Sequence, residues 1–170
     1  GQHDKAEASF KQALRIDGEN SSVLNNYGQF LCQRGRYDEG QKLILKAVAN
    51  PLYANADSGY YNAGACAMGN GKLDEADGYF RKALEIDSSM APALLQMADV
   101  NLQLNRALQA RAYLQRFSGV ATMNARALWL GVQIERQLGN RDDEASYALQ
   151  LQKSFPDSVQ TKQLLESKPQ

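Results

Sequence analysis

The stretch Leu24–Gly40, LNNYGQFLCQRGRYDEG, places a glycine in the middle of a helical, apolar pattern. Glycine inside a helix costs about 1 kcal/mol relative to alanine, so Gly28 needs a packing reason. Small residues recur at nearly even spacing along the chain, as Gly64, Ala98 and Gly131. This repetition predicts that Gly28 lets a second helix approach closely, and that the chain repeats the arrangement.

A second small residue follows the first in every unit. It recurs with nearly the same period, as Ala6, Gly40, Ala76, Ala110 and Ala145. A bulky apolar residue stands four positions later, which is helical spacing, as Phe10, Ile44, Phe80, Leu114 and Leu149. Turn residues separate the two small positions at Gly35, Gly71, Asn105 and Gly139–Asn140. Each unit is therefore predicted to form a helix, a short turn and a second helix.

The period of about 34 residues resembles the tetratricopeptide repeat, with aromatic-x2-[LY]-G in the first helix and A-x3-F-x2-A in the second. The resemblance implies an all-α superhelix of antiparallel helix pairs, an α-α solenoid that forms a single domain. Its predicted segments are a partial repeat with only a second helix (1–20), repeats 21–56, 57–90 and 91–124, an irregular repeat 125–156, and a capping helix with a tail, 157–170. Ala145 follows Gly131 at a longer interval than separates the two small positions of the other units, which predicts an irregular turn in the last repeat.

The sequence also suggests how each end of the repeat array is completed. The sequence begins at the turn into a second helix, so we expect upstream residues that supply at least the matching first helix. At the other end, Asp157 or Ser158 is a suitable N-cap for a capping helix. Its expected apolar stripe is Val159, Leu164 and Leu165.

Composition argues against several functions. The 19 basic and 19 acidic residues balance, so no basic surface for nucleic acid or anionic lipid is predicted. No stretch approaches the roughly 18 to 20 apolar residues of a membrane helix. The acidic pairs that open second helices, such as Asp74–Glu75, fit the helix dipole better than a catalytic dyad or a metal site. His3 is the single histidine, and it is expected to be incidental. We therefore predict no catalysis, no cofactor and no metal.

Charge is distributed unevenly between the two sets of helices. Residues 22–33 and 58–71 carry no charge, whereas residues 72–87 carry eight charges. The neutral first helices are therefore predicted to line a partner-binding groove, through amides and apolar anchors. The predicted groove residues are Asn25, Gln29, Gln33, Tyr61, Asn62, Leu95, Asp99, Trp129 and Arg136. The alternative for any one of them is packing against the adjacent repeat. A clamp for a chaperone carboxylate is not expected, because these first helices offer no lysine.

Cys32 and Cys66 occupy nearly equivalent positions in neighbouring first helices. They fit two small buried apolar residues, or a disulfide that links adjacent repeats in an oxidising compartment. The sequence leaves both alternatives open.

Particular segments narrow the resemblance. LNNYGQFLCQRGRYDEG, the inserted NPLYANADSGYYNAGACA, AYLQRF and ARALWLGVQIERQLGNRDDEASYALQLQKSFPDS are similar to the type IV pilus biogenesis and stability proteins of the PilF/PilW family. That resemblance implies a pilotin-type lipoprotein on the periplasmic face of the outer membrane, with the pilus secretin or an associated pilus assembly protein as partner. The family's lipid-modified N-terminal cysteine is absent from this chain.

Two other functions stay open at the level of sequence. The first is a generic repeat adaptor in another secretion or envelope complex, since the repeat by itself specifies only protein binding. The second is an enzyme that carries a repeat domain, which would need a catalytic domain outside these 170 residues.

Overall fold

The computed structural model describes residues 1–167, which form ten helices and no strand. The helices are α1 (Gln2–Ile16), α2 (Ser21–Gln33), α3 (Tyr37–Val48), α4 (Ala56–Gly69), α5 (Leu73–Ile86), α6 (Ala91–Gln103), α7 (Ala107–Val120), α8 (Ala125–Leu138), α9 (Arg141–Ser154) and α10 (Val159–Glu166). The predicted all-α tetratricopeptide repeat fold is confirmed. Within the described range, no helix has the length and apolar character needed to cross a membrane.

The helices associate as antiparallel pairs within two compact units, which divide after Met90. In unit 1, α2 pairs with α3 and α4 pairs with α5, while α1 packs on α2. In unit 2, α6 pairs with α7 and α8 pairs with α9, and α10 packs on both members of the last pair. Each pair is one repeat, with its first helix named first.

The helix boundaries follow from local chemistry. Asn20 and Asn124 cap α2 and α8, because their side-chain oxygens accept the Val23 and Ala127 amides at 3.1 and 2.9 Å. All four predicted turns contain one left-handed residue, with positive φ. These residues are Gly35, Gly71, Asn105 and Gly139. Glycine or asparagine adopts this conformation readily, so the chain reverses direction there without strain.

The small residues allow close helix contact, as the repetition predicts. A Cβ atom on Gly28 would lie 2.6 Å from the Gly40 carbonyl oxygen and from Ile44 Cγ1. On Gly64 it would lie 2.6 Å from the Phe80 ring. The prediction for Gly28 is therefore confirmed.

The last repeat corrects one prediction. A Cβ atom on Gly131 would meet the Tyr147 ring at 2.8 Å, so Tyr147 fills the place that Ile44 and Phe80 fill in their own repeats. The expectation that Ala145 and Leu149 take the small and bulky positions is wrong, since Ala145 is exposed and Leu149 is 67% exposed. Tyr147 follows Gly131 at the same interval at which Ile44 follows Gly28, so Ala145 and Leu149 each stand two positions beyond the equivalents of Gly40 and Ile44. Each residue advances a helix face by about 100°, so an offset of two positions turns both side chains away from α8.

Each unit has its own core. In unit 1, one cluster contains Cys32, Ile44, Ala63 and Cys66, with Tyr37, Leu45 and Tyr79 packed against it. In unit 2, one cluster contains Leu128, Val132, Leu151 and Leu164, with Trp129, Tyr147 and Phe155 among its neighbours. Each of these clusters therefore lies between a helix pair and the helix that follows it, α4 in unit 1 and α10 in unit 2.

A polar network fastens α1 to the first repeat. The Glu7 carboxylate accepts hydrogen bonds from Tyr27 at 3.0 Å and Arg36 at 2.9 Å, and it pairs with Lys11 at 2.8 Å. The hydrogen bonds from Lys11, Arg36 and Tyr27 lower the pKa of Glu7 from its ordinary 4.5 to about 2. Because all three partners favour the carboxylate, the network is strongest with Glu7 ionised.

The capping helix is α10, and Ser158 is its N-cap through a 3.1 Å bond from the Thr161 amide. Its predicted apolar stripe is correct only for Leu164, since Val159 and Leu165 are 63% and 56% exposed. Thr161 is buried instead, because its hydroxyl donates to the Phe155 carbonyl at 2.7 Å. The end of the predicted tail, 168–170, lies outside the described residues.

Candidate partner-binding site

One cavity in unit 1 gathers much of the predicted groove. It has a volume of about 310 Å³ and lies between α2 and α4. We call it the α2–α4 site, and its lining residues are Gln29, Cys32, Gln33, Tyr37, Tyr61, Asn62, Ala65, Cys66 and Gly69. Gln29, Gln33, Tyr61 and Asn62 are four of the nine predicted groove residues. Consecutive first helices lie side by side in a repeat of this type, and this brings them together.

A chain of amides crosses between the two helices. The Asn62 side chain donates to Asn25 Oδ1 at 3.1 Å, and the Gln29 side chain donates to Asn62 Oδ1 at 3.2 Å. Asn25 is only 5% exposed, which corrects the expectation that it projects into an open groove. The buried Asn25 side chain contributes to the site by holding the Asn62 side chain in its orientation. The Gln33 side chain is exposed and makes no hydrogen bond within residues 1–167, so its side-chain amide is available to a ligand.

Aromatic rings form the walls of the cavity. The Tyr61 ring lies 5.7 Å from Phe80, which holds it on the surface of α4. The sequence reasoning missed Tyr37 and Gly69. A Cβ atom on Gly69 would lie 2.9 Å from the Tyr37 ring, so the glycine makes room for the ring at the end of α4. In the sequence, the only indication of this contact is that Gly69 is a glycine. The equivalent positions in the other repeats hold larger residues, so the repeat pattern does not draw attention to it.

A disulfide joins Cys32 to Cys66 and links α2 to α4 along one side of the cavity. The two α-carbons are 5.4 Å apart, within the range that a disulfide spans. Both cysteines are buried, at 9% and 2% exposure. The geometry favours the bonded alternative, and formation of the bond in the cell stays a prediction.

The four predicted groove residues of unit 2 do not share one cavity. Leu95 is 7% exposed and belongs to the core, which corrects the expectation that it projects outward. Asp99 pairs with Arg126 at 2.8 Å and accepts the Gln103 amide at 2.8 Å. Trp129 is half-buried against the unit 2 core cluster. Arg136 lies on another surface, where it pairs with Glu144 at 2.8 Å. The α6 and α8 surface is therefore occupied by contacts among its own side chains.

The acidic pairs at the starts of second helices and the histidine are exposed side chains. Asp38, Glu39, Asp74, Glu75, Asp142 and Asp143 are exposed in the first turns of second helices. His3 is exposed, with its ring 6.4 Å from Phe30. Within residues 1–167, no cluster of three histidine, cysteine or carboxylate residues has the geometry of a metal site. The α2–α4 site offers amide hydrogen bonds and apolar surface, which suit noncovalent binding of a peptide segment.

Comparison with known families matches two tetratricopeptide repeat models, at residues 1–56 and 58–89. Type IV pilus assembly protein PilF of Pseudomonas aeruginosa is 34% identical over 155 residues, or 91% of this chain, and the chain spans 62% of that protein's length. The crystal structure of PilW, a widely conserved type IV pilus biogenesis factor, has a TM-score of 0.89 and 33% identity, and the match covers 95% of this chain and 74% of PilW. The chain belongs to the PilF/PilW family. A solved structure from a functional characterization of Pseudomonas aeruginosa PilF matches with a TM-score of 0.84 and 32% identity, over 96% of this chain and 73% of that one. The predicted resemblance to PilF/PilW is thus confirmed.

Proposed function

We propose that this chain is a noncatalytic protein-binding scaffold in type IV pilus biogenesis, and that it acts as a pilotin. In that role it assists the outer-membrane localisation and multimerisation of the pilus secretin, or the stability of the pilus. The observation that carries the proposal is the family likeness over nearly the whole chain, to a pilus assembly protein and a pilus biogenesis factor. The repeat fold supports a scaffold because tetratricopeptide units bind proteins through surfaces rather than by chemistry.

The proposed mechanism uses the α2–α4 site. An apolar side chain of a secretin subunit, or of a companion pilus protein, enters the cavity between Tyr37 and Tyr61. The Gln33 amide then bonds to the backbone of that segment, as in other recognition of extended peptides. A strand held in this way cannot pair prematurely with another exposed edge. The scaffold therefore protects an assembly intermediate until it reaches its place.

The proposed location is the periplasmic face of the outer membrane. An N-terminal lipid on the complete protein would anchor it there, with a second signal where one chain binds too weakly. The Cys32–Cys66 disulfide supports this location, because such bonds persist in oxidising compartments.

The test is deletion of the gene in the native host, followed by complementation and a denaturing gel that detects the heat-resistant secretin multimer. We expect loss of the multimer on deletion and recovery with the complete wild-type gene. Gln33→Ala should restore less multimer than Gln103→Ala, its register equivalent on α6, which contacts Asp99 in unit 2. An intact, correctly located multimer in the deletion strain would rule out the pilotin role and favour an adaptor of another envelope complex.

Salt provides a second test of where the partner binds. The α2–α4 site has no charged lining residue, so partner affinity should change little between about 0.05 and 0.5 M salt. A strong loss of affinity at high salt would instead place the partner on the charged second helices.

A further inference from the structure

The outer face of α9 forms an open groove in unit 2 with a volume of about 570 Å³. We call it the α9 groove, and the lining residues used below are Arg136, Arg141, Glu144, Ala148, Leu149 and Leu164. Leu164 lies at its floor with 2% exposure, whereas Leu149 is 67% exposed. Leu149, Ala148 and Leu164 together give the groove an apolar surface that a partner side chain could cover.

The repeat register shows which residues of α3 correspond to this groove. Tyr147 stands where Ile44 stands, because each faces the small residue of its own first helix at the same interval along the chain. Counting from these two residues, Arg141 corresponds to Asp38, Glu144 to Gln41, and Ala148 to Leu45. The same face can therefore be compared in two repeats.

On α3, side chains from the second helix of the next repeat, α5, reach across to that face, while α4 packs directly on α3. Asp38 pairs with Lys72 at 3.5 Å. Gln41 is 7% exposed and donates to Glu75 at 3.0 Å and to Tyr79 at 3.3 Å. Leu45 and Tyr79 pack against the same core cluster. The contacts run from a charge pair at the start of α5 to a bulky aromatic side chain two turns later.

The face of α7 in unit 2 is also opposed by a second helix. Arg111 and Gln115 correspond to Gln41 and Leu45, and they share a cavity of about 330 Å³ with Asp143 and Ser146 of α9. Ser146 stands at the register of Tyr79. Among residues 1–167, the α9 face is the one of these three that no following second helix covers.

We infer that the α9 groove binds an amphipathic helix of a partner protein. That helix presents an acidic residue to Arg141 and, two turns later, a bulky apolar residue to Ala148 and Leu149. It occupies the position on α9 that α5 occupies on α3.

The charges of the groove indicate that the partner side chain facing Arg141 is acidic. Glu144 is already neutralised by Arg136 at 2.8 Å. Arg141 is exposed and has no ion-pair or hydrogen-bond partner among residues 1–167. The groove therefore retains one unpaired cation at the place where α3 has the anion Asp38. Lys72 pairs with Asp38 on α3, so the corresponding residue of a helix that binds α9 should carry a carboxylate, which can pair with Arg141. This inference concerns a different surface from the α2–α4 site and does not rest on the proposed pilus function.

A peptide copied from α5 of this chain can be used to test binding to the α9 groove. A fluorescein-labelled peptide of residues 71–87 carries the α5 face, and a K72E version reverses its leading charge. A hydrocarbon staple that replaces Arg81 and Glu85 keeps the short helix formed, on the side opposite Lys72 and Tyr79. Fluorescence anisotropy then measures the binding of each peptide to the 170-residue chain.

We expect the K72E peptide to bind about fivefold more tightly than the Lys72 peptide, the size of a well-placed exposed charge pair. The Arg141→Glu variant should reverse that preference. Leu149→Asp should weaken binding of the K72E peptide at least about tenfold, since it removes a buried apolar contact. The matched control is Leu52→Asp, at a leucine that is 88% exposed in unit 1, and it should leave binding unchanged. Circular dichroism checks that each variant is folded.

Three results of the peptide experiment would overturn the inference. These are no binding of the K72E peptide at about 1 mM, the same peptide preference in Arg141→Glu as in the wild type, or equal weakening by Leu52→Asp and Leu149→Asp. Sedimentation of the chain alone tests the other occupant. A dimer that Leu149→Asp dissociates would show that a second copy fills the groove, which also overturns the inference.

Discussion

The first helices α2 and α4 of unit 1 occupy the same places in their repeats as α6 and α8 of unit 2, yet the two surfaces differ. Between α2 and α4 lies a cavity with the unbonded amide of Gln33 at its edge. On α6 and α8, Asp99 is bonded to both Arg126 and Gln103, and Leu95 is buried. Equivalent positions in different repeats thus give different surfaces, depending on whether their polar side chains already form hydrogen bonds or ion pairs with one another. A partner gains more from groups that are not already paired.

Removal of the disulfide should have the largest effect on this comparison. Cys32→Ala with Cys66→Ala opens a link across 34 residues, and loops of that size contribute about 3 to 4 kcal/mol to stability. Urea unfolding of the wild type and the double variant, each with and without reductant, measures the loss. The double variant should not respond to reductant, because it has no disulfide. Equal midpoints for oxidised and reduced wild type would show that the link adds no stability.

A methyl group at the close helix contacts should come next. Gly28→Ala should lose about 2 to 3 kcal/mol, because its new methyl group meets the Gly40 backbone. Gly131→Ala should lose less, since the half-buried Tyr147 ring can move. Urea unfolding compares the two.

The control for these glycines is Gly78→Ala, an exposed helical site with nothing within 4 Å of the added atom. It should stabilise the protein by about 0.5 to 1 kcal/mol. Equal losses at Gly28 and Gly131 would show that the contact in unit 1 is no tighter than the one in unit 2.

Much of this arrangement follows from sequence, because small residues and turns recur at a fixed spacing. The contacts of Gly28 and Gly64 and the left-handed turn at Asn105 were predictable in this way. Burial of Asn25 and Leu95 was not, since it depends on which side chains the neighbouring helices bring to the same point. The prediction for α9 failed because Ala145 and Leu149 imitate the small and bulky positions, whereas both stand two residues beyond the register that Gly131 and Tyr147 set and therefore face outward.

Partner-binding measurements distinguish most directly between the first-helix surface of unit 1 and that of unit 2. If the pilus secretin is the partner, as proposed, Gln33→Ala should weaken binding of the purified secretin about fivefold, the size of one lost hydrogen bond. Gln103→Ala should leave the affinity unchanged, because that amide already bonds to Asp99. Microscale thermophoresis on the two variants measures the difference. Equal weakening by both would remove the distinction between the units, and no weakening by either would move the partner away from the first helices.

The smallest effect concerns the pH dependence of stability at α1 and α2. The folded state lowers the pKa of Glu7 from 4.5 to about 2, so its contribution is complete above about pH 4.5 and is lost as pH falls toward 2. Glu7→Gln should therefore show a shallower fall of Tm over that range than the wild type does. Scanning calorimetry between pH 2 and 6 measures it. Glu85→Gln, at an exposed glutamate of α5, serves as the control. Parallel Tm curves for the wild type and Glu7→Gln would contradict the assigned cause.

The Cys32–Cys66 bond also determines how the chain responds to force. When the chain is pulled from its two ends, tension passes through the sulfurs and bypasses the loop between the cysteines, which are separated by 34 positions in sequence. At about 3.5 Å per residue, roughly 120 Å of chain cannot lengthen while the bond is intact. Even a fully pulled protein would retain this loop, so its stretched length would be shorter by that amount until a reductant opens it.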